Sequence, residues 1–551
     1  MSSTELLAQA AAWLAQDPDP VTSKELRVLI SSAEAGDSAA HADLADRFDS
    51  RLMFGTAGLR GALGAGPNRM NRVVVSQAAY GFAQFLLQRE ATPSVVIGYD
   101  GRVNSDVFAR DSAEIFAGLG LRVILFDHVV PTPVTATSIR ELGLSAGVMV
   151  TASHNPAADN GYKVYLGGED DGSQIVSPAD TEIEALILHA AEIDVSEYPR
   201  STTIEIASET LIDTFVAKTA ALSTRPATPI RFVYTAMHGV GWEVANRCFL
   251  EAGLGDAVVV SEQIHPDGTF PTVAFPNPEE PGALDLAYET ADRAGVDVIV
   301  ANDPDADRLA IAIKENGQWR RLSGNEVGSL LGWRAAERHK GSGTPAALAA
   351  SIVSTPALRA VAADYGIDYS DTLTGFKFVN RVPNLIFGFE EALGYLVDPG
   401  KLRDKDGISA AVDFLSMAGE LQERGLTIAD HLGEFADRFG AFASTQISLR
   451  FDNLSDIPAV SSKFRQSPPD SLGGRRITAV DDFTHGFENF APSDLLRLSI
   501  EGGSRVIVRP SGTEPKLKIY IDAVVTDGDN RRERVADVVS DIEADLRTFI
   551  A

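Results

Sequence analysis

TASHNP, residues 151–156, follows the apolar run AGVMV at 146–150, and the reading of this chain turns on that junction. A short apolar run bounded by turn residues reads as a buried strand. The His, Asn and Pro that follow stop it from continuing as strand or helix. Ser153 therefore falls on a loop at a strand end, where a nucleophile can be presented. The same letters also fit an ordinary Ser-His-Asn turn, so the choice depends on the rest of the chain. Asn160-Gly161 is a hairpin signal, and 162–166 reads as the returning strand, carrying Lys163 back towards Ser153. Upstream, residues 1–48 read as helical, broken by DPDP at 17–20 and restarted by a capping box of Thr22 with Glu25. GTAGLRG at 55–61 is a Gly-rich turn presenting Arg60. Strand 95–98 leads to Asp100 and Arg102, and helix 106–119, strand 122–126 and helix 135–142 follow. Alternation of this kind predicts an α/β unit with ligand loops at its strand ends.

DPDADR, residues 303–308, lies between two apolar runs, 296–301 and 309–313, and crowds Asp303, Asp305 and Asp307 into one turn. Two carboxylates roughly 4 Å apart repel by about 4 kcal/mol at an effective dielectric near 20. Three that converge call for a cation, and oxygen ligands suit Mg²⁺, Mn²⁺ or Ca²⁺. An EF-hand fails on spacing, because its glycine position holds Arg308 and its closing glutamate position holds Lys314. The bland competitor is a solvated acidic turn. RPSGTEP, residues 509–515, sits between strands at 505–508 and 516–521. Arg509 offers a planar fork of donors. Ser511 and Thr513 add hydroxyls, and Gly512 lets backbone N–H groups approach an anion. The same turn could equally close a plain hairpin. GFEEALGY, residues 388–395, sets Glu390 and Glu391 between apolar segments. They read as acceptors for sugar hydroxyls or, more simply, as acids at a helix N-terminus.

The chain has 551 residues, too many for one core, so three or four domains are expected. Further βα series begin near Arg231 and Ala346, and the block from about 440 differs: strands, a polar loop at 467–474, and a charged closing helix at 531–549. The single cysteine, Cys248, excludes an internal disulfide and fits a reducing cytoplasm. No basic leader opens the chain and no apolar run approaches a membrane span. The formal charge of −29 argues against nucleic acid or an anionic membrane as partner. A phosphate substrate would meet that field too, so local cations must override it. Arg60, Arg102, Lys163, Arg308, Arg509 and Lys516 are available and are expected to converge.

A nucleophilic hydroxyl, a divalent-cation loop, a phosphate cradle and a sugar-sized acceptor pair on different units together fit phosphoryl transfer in a cleft. His154 and Lys163 are the helpers nearest a serine that is a poor nucleophile unaided. A serine hydrolase is the rival built on Gly143-x-Ser145-x-Gly147, but there a helix precedes and a strand follows, the reverse of a nucleophile elbow. A metal-dependent phosphatase using Asp303 and Asp305 would leave TASHNP and RPSGTEP without roles, and a non-catalytic metal-binding module would bind the cation but carry no phosphorylated serine.

In this order along the chain the four motifs resemble the α-D-phosphohexomutase family, the phosphoglucomutases and phosphomannomutases. The resemblance implies three similar mixed α/β domains and a C-terminal α+β, TATA-binding-protein-like domain around a central cleft. The corresponding boundaries are 1–200 (N-terminal helices and phosphoserine domain), 201–322 (metal), 323–438 (sugar) and 439–551 (phosphate). It implies that Ser153 is phosphorylated and, with Asp303, Asp305 and Asp307, binds one Mg²⁺. Lys163 and His154 become acid–base candidates, Arg60 and Arg308 charge stabilisers, and Glu390 and Glu391 sugar ligands. Arg509, Ser511, Gly512 and Thr513 would hold the non-reacting phosphate. Ala392 stands where many members have serine. With TGFKF at 374–378, whose Lys377 is a further acid–base candidate, and DKDG at 404–407, this resembles the phosphoglucomutase-2 or phosphopentomutase branch. The implied activity interconverts hexose 1-phosphate and hexose 6-phosphate, with glucose first, mannose second and a pentose third. A hexose 1,6-bisphosphate would be the activator, and the enzyme a cytoplasmic monomer or homodimer with a hinged fourth domain.

Overall fold

The computed structural model describes residues 2–223, 228–451, 457–510 and 516–550. The chain forms two compact units, Met1–Arg321 with Asp398–Gly419, and Leu322–Val397 with Glu420–Ala551.

The first unit holds two sheets. In one, the strands run in the order Leu59–Ala62, Asp159–Leu166, Ala146–Val150, Ser94–Tyr99, Arg122–Leu125, Glu205–Ile206, with Ser173–Gln174 added beside Asp159–Leu166. The central pairs are parallel and the Asp159–Leu166 pairings antiparallel. Alternation along the strands divides the two faces. Val95, Ile97, Ala146, Val148 and Val150 join a core with Phe82 and Phe85 of helix Arg72–Arg89 and Phe108 and Phe116 of helix Ser105–Gly118. On the other face Gly98 and Gly147 leave room for helix Thr132–Glu141, since a Cβ there would strike Thr135 Oγ1 or Ile139. The second sheet runs Gln318–Arg321, Leu309–Glu315, Val298–Asn302, Val233–Thr235, Val258–Val259.

The second unit carries a four-stranded sheet, Asp368–Thr372, Ala347–Ser351, Leu385–Glu390, Gly394–Leu396, and a six-stranded antiparallel one. The latter runs Ala441–Arg450, Lys516–Val525, Arg505–Pro510, Leu496–Ile500, Arg475–Asp482, Ser471–Leu472. Val535, Val538, Ile542 and Leu546 of helix Arg531–Ile550 cover one face of it. Three α/β sheets followed by an α+β one agree with the expected fold class. Among the described residues no helix is long and apolar enough to cross a membrane.

Several local expectations are corrected. Residues 3–48 form three helices, Ser3–Gln16, Pro20–Glu34 and Ser38–Phe48. The second is capped by Asp19, which accepts from Val21 N, and not by a Thr22–Glu25 box. Pro20 fits N1, where its missing N–H costs nothing, so the helix begins before Thr22. The helix expected at 135–142 likewise begins at Thr132, with Pro133 in its first turn. Asn160-Gly161 is not a turn. It lies inside strand Asp159–Leu166, paired with Arg60 and Gly61, so the TASHNP loop itself makes the reversal. GFEEALGY is a strand–turn–strand hairpin, not a helix N-terminus. Helix Ile457–Gln466 was not expected.

Gly161 shows how closely this packing is set. A Cβ there would stand 2.5 Å from the Thr151 carbonyl oxygen and 2.9 Å from that of Leu59. Both neighbours are backbone and cannot swing aside. Gly161→Ala is expected to cost roughly 1–3 kcal/mol, as overpacking does, read as a lowered denaturant midpoint with an unchanged slope.

Candidate active site

The loop after Ala146–Val150 holds Ser153 with φ 50°, a left-handed conformation uncommon for serine. Such a conformation persists only where surroundings determine it. Thr151 Oγ1 accepts the Ser153 N–H at 2.8 Å. Arg102, buried beneath the loop, donates from Nη2 to the Ser153 and Asn155 carbonyls, both at 2.6 Å. Its Nη1 donates to those of Pro156 at 2.8 Å and Asp159 at 3.1 Å. One guanidinium thus satisfies four carbonyls of the turn.

The acidic loop follows from register. Val298–Asn302 and Leu309–Glu315 pair antiparallel with Asn302 opposite Leu309, so residues 303–308 must cross between two buried strands. The loop rests on Gly239, where a Cβ would meet Pro304 Cα at 2.3 Å, and Val240 N donates to the Pro304 carbonyl at 2.8 Å. Thr132, first residue of its helix, donates from N to the Asp305 carbonyl at 2.9 Å and from Oγ1 to Asp305 Oδ2 at 2.6 Å. A helix N-terminus favours an anion there.

All three carboxylates are buried, and one ligand oxygen from each lies within 4.8 Å of the others. Lys163 Nζ donates to Asp305 Oδ2 and Asp307 Oδ2, both at 2.7 Å. Lys405 Nζ lies 3.3 Å from Asp307 Oδ2. Ser153 Oγ donates to Asp303 Oδ2 at 2.8 Å, and Arg308 N to Asp303 Oδ1 at 2.9 Å. Burial and the two neighbouring acids push the Asp303 carboxyl well above its usual range. Burial and Asp307 oppose the charge on Asp305, but Lys163 outweighs them and holds it low. Burial likewise opposes Asp307, which Lys163, Lys405 and Arg308 hold lower still.

Asp305 Oδ1 and Asp307 Oδ1 are buried without a hydrogen-bond partner among the described residues. Orphaned carboxylate oxygens are costly, and hard oxygen donors beside a third carboxylate and a hydroxyl fit a divalent cation of the Mg²⁺ class.

Arg60 Nη1 donates to Asn155 Oδ1 at 3.2 Å. His154 Nδ1 stands 3.2 Å from Ser153 Oγ, and its ring meets Phe275 edge-on at 6.2 Å. Burial, with Arg308 and Arg60 nearby, drives the His154 pKa well below the usual imidazole value, so the ring is neutral. Four of the six expected cations, Arg60, Arg102, Lys163 and Arg308, therefore gather around Ser153 and the acids. Arg509 and Lys516 belong to the second unit.

In that unit Glu391 Oε2 accepts from Ser351 Oγ at 3.1 Å and Ser354 Oγ at 3.0 Å. Burial raises the Tyr520 hydroxyl pKa, Glu391 and Glu390 raise it further and Arg509 opposes them, so these three expected ligands share one neighbourhood. Lys377 lies on the short helix Phe376–Val379, whose Val379 packs where Gly388 leaves space beside the Glu390 strand. Ser511, Gly512 and Thr513 lie outside the described residues. Thr132 and Lys405 went unread as site residues. Nothing in the PTP sequence at 131–133 signals the first, whereas the lysine of DKDG was visible only as a family mark.

With this geometry the comparisons are specific. The chain matches phosphoglucomutase/phosphomannomutase alpha/beta/alpha domain I over residues 51–194, domain II over 210–317, domain III over 323–439 and the C-terminal domain over 474–541. It is 52% identical over 456 residues to a probable phosphomannomutase of Haemophilus influenzae, covering 82% of this chain and 93% of that protein. It is 36% identical over 553 residues to a probable phosphoribomutase of Schizosaccharomyces pombe, covering 93% and 92%. A crystal structure of a phosphoglucomutase/phosphomannomutase family protein from Burkholderia thailandensis superposes with a TM-score of 0.68 at 19% identity, covering 91% of this chain and 98% of that one. Fold, order of domains and site thus describe a phosphosugar mutase, an isomerase that moves a phosphoryl group within its substrate. The chain belongs to the phosphoglucomutase/phosphomannomutase family.

Arg102→Met would strip four carbonyls of one donor. The Pro156 carbonyl keeps the Asp159 N–H at 3.0 Å, and the Ser153 carbonyl is the most deeply buried of the four. A buried acceptor left unpaired costs about 1–3 kcal/mol, so we expect a stability loss of that order and accelerated amide exchange across residues 153–159, read by hydrogen exchange.

Proposed function

We propose that this enzyme interconverts hexose 1-phosphate and hexose 6-phosphate reversibly, with Ser153 as the phosphoryl carrier. The observation that carries the proposal is the 2.8 Å contact of Ser153 Oγ with a buried triad of acids that still has orphaned oxygens. In the cycle, the phosphoryl group on Ser153 passes to the free hydroxyl of the sugar 1-phosphate. The bond to Oγ breaks as the bond to the sugar oxygen forms. The hydroxyl proton leaves to a nearby base, for which the neutral His154 is the first unit's candidate and Lys377 the second's; Lys163, kept as an ammonium against burial by Asp305 and Asp307, is the candidate acid. The bisphosphate then offers its other phosphate to Oγ, and the 6-phosphate is released. Arg60 and Arg308 steady charge beside Ser153. A divalent cation, Mg²⁺ by its ligand set, would be held by Asp303, Asp305, Asp307 and an oxygen on Ser153, and would supply charge neutralisation.

Glu390 and Glu391 are assigned to sugar hydroxyls, and Arg509 with Ser511, Gly512 and Thr513 to the non-reacting phosphate. A hexose 1,6-bisphosphate would prime Ser153. Glucose 1-phosphate is the first substrate to try, and mannose 1-phosphate is supported by the bacterial relative. Pentose phosphates form a second reading, favoured by the phosphoribomutase relative and by Ala392, which lacks a hydroxyl at the sugar loop. Buried Cys248 fits a reducing cytoplasm.

Intact-mass measurement should find one phosphoryl group that is absent in Ser153→Ala, with turnover down 10³-fold or more, as on losing a covalent nucleophile. Full turnover in that variant would remove Ser153 from the cycle. Chelation should abolish turnover and added Mg²⁺ restore it, whereas activity that survives chelation would leave the acid triad without its proposed role. A panel of hexose and pentose 1-phosphates with catalytic bisphosphate decides between the two substrate readings.

A further inference from the structure

Lys401 is fully buried, a rare state for lysine. Its Nζ contacts Asp406 Oδ2 at 2.7 Å and Thr219 Oγ1 at 2.6 Å, bonds Ser409 Oγ, and sits 3.9 Å above the centre of the Phe215 ring. Asp406 is equally satisfied. Its Oδ1 accepts from Ile408 N at 3.1 Å and Ser409 N at 2.9 Å, and its Oδ2 from Ser409 Oγ at 2.6 Å. A buried ion pair is weak support for stability, since apolar replacements often serve as well. Another use must be sought in what the pair holds.

It holds the segment 401–409 against helix Thr210–Ala220, and that segment reaches the acidic loop. Gly407 N donates to the Ala306 carbonyl at 3.2 Å, and a Cβ on Gly407 would lie 2.2 Å from the Arg308 carbonyl oxygen. Asp404 Oδ2 accepts from Tyr165 hydroxyl and Gln174 Nε2, both at 2.8 Å. Between these anchors Lys405 Nζ reaches Asp307 Oδ2 at 3.3 Å, the oxygen that Lys163 also contacts. We propose that the buried Lys401–Asp406 pair is a positioning latch that seats Lys405 and Gly407 on the acidic loop and so fixes that loop for phosphoryl transfer. Lys401 touches no expected substrate group, so its effect must pass through the segment it anchors.

This inference rests on the mutase reading for its kinetic consequence but not for its structural one. In full-length Lys401→Met, folded by circular dichroism, kcat on the best phosphosugar is expected to fall about tenfold while KM stays within twofold. Amides across 404–409 should exchange at least tenfold faster, with those of strand Ala146–Val150 unchanged. Thr219→Val, which removes one acceptor and no charge, should give the same pattern in smaller degree and serves if Lys401→Met does not fold. Unchanged exchange at 404–409, or faster exchange with unchanged kcat, would overturn the latch. Absence of mutase turnover in the unmutated protein would instead strike the functional reading, and the exchange measurement would still decide the latch.

Discussion

Three carboxylates packed into one buried turn form the constraint to which the rest of the first unit answers. At separations near 4 Å each like-charge pair costs about 4 kcal/mol even at an effective dielectric near 20. Asp305 and Asp307 are kept ionised by the shared ammonium of Lys163, and Asp305 also by the N-terminus of helix Thr132–Glu141. Asp303 has no lysine and receives the Ser153 hydroxyl and the Arg308 N–H instead. Burial first, and then the charges of Asp305 and Asp307, keep its pKa raised. The proposed phosphoryl carrier, Ser153, is therefore bound to the acid that no lysine reaches. An oxygen ligand on Ser153 and a cation between the three acids would meet that remaining need together.

Backbone packed on backbone gives this arrangement its rigidity. Gly161 abuts the Thr151 carbonyl, Gly239 abuts Pro304, and Gly407 abuts the Arg308 carbonyl. None of these contacts can yield by rotating a side chain, so Ser153 and the 303–308 loop are located by main chain while Arg102 ties the serine turn from within. The same economy answers the chain's net charge of −29. Arg60, Arg102, Lys163, Arg308 and Lys405 concentrate positive charge beside Ser153, the proposed phosphoryl carrier, in a medium where Coulomb terms act more strongly than in water.

The parts of the site most legible in the sequence are those whose chemistry is local. TASHNP gave the loop and its strand, and DPDADR gave the acid cluster between paired strands; the returning strand, expected to bring Lys163 back towards Ser153, sets its ammonium on Asp305 and Asp307. Less legible were features set by partners far along the chain. Asn160-Gly161 reads as a turn because its local preference says so, but pairing with Arg60 and Gly61 forces it into a strand. Asp19 displaced Thr22 as a helix cap because Pro20 fits the first helical position. Thr132 has no signature at all, since its role depends on an aspartate more than a hundred residues away. Lys401 and Asp406 look like ordinary surface charges in sequence, and only burial makes them a pair.

The most direct test of the central claim follows the phosphoryl group itself. Protein labelled with radioactive phosphate, purified and mixed in a single turnover with excess hexose 1-phosphate, should lose its label from Ser153 and yield labelled hexose bisphosphate and 6-phosphate. Label released as inorganic phosphate, or retained on the protein while the sugar isomerises, would contradict the account.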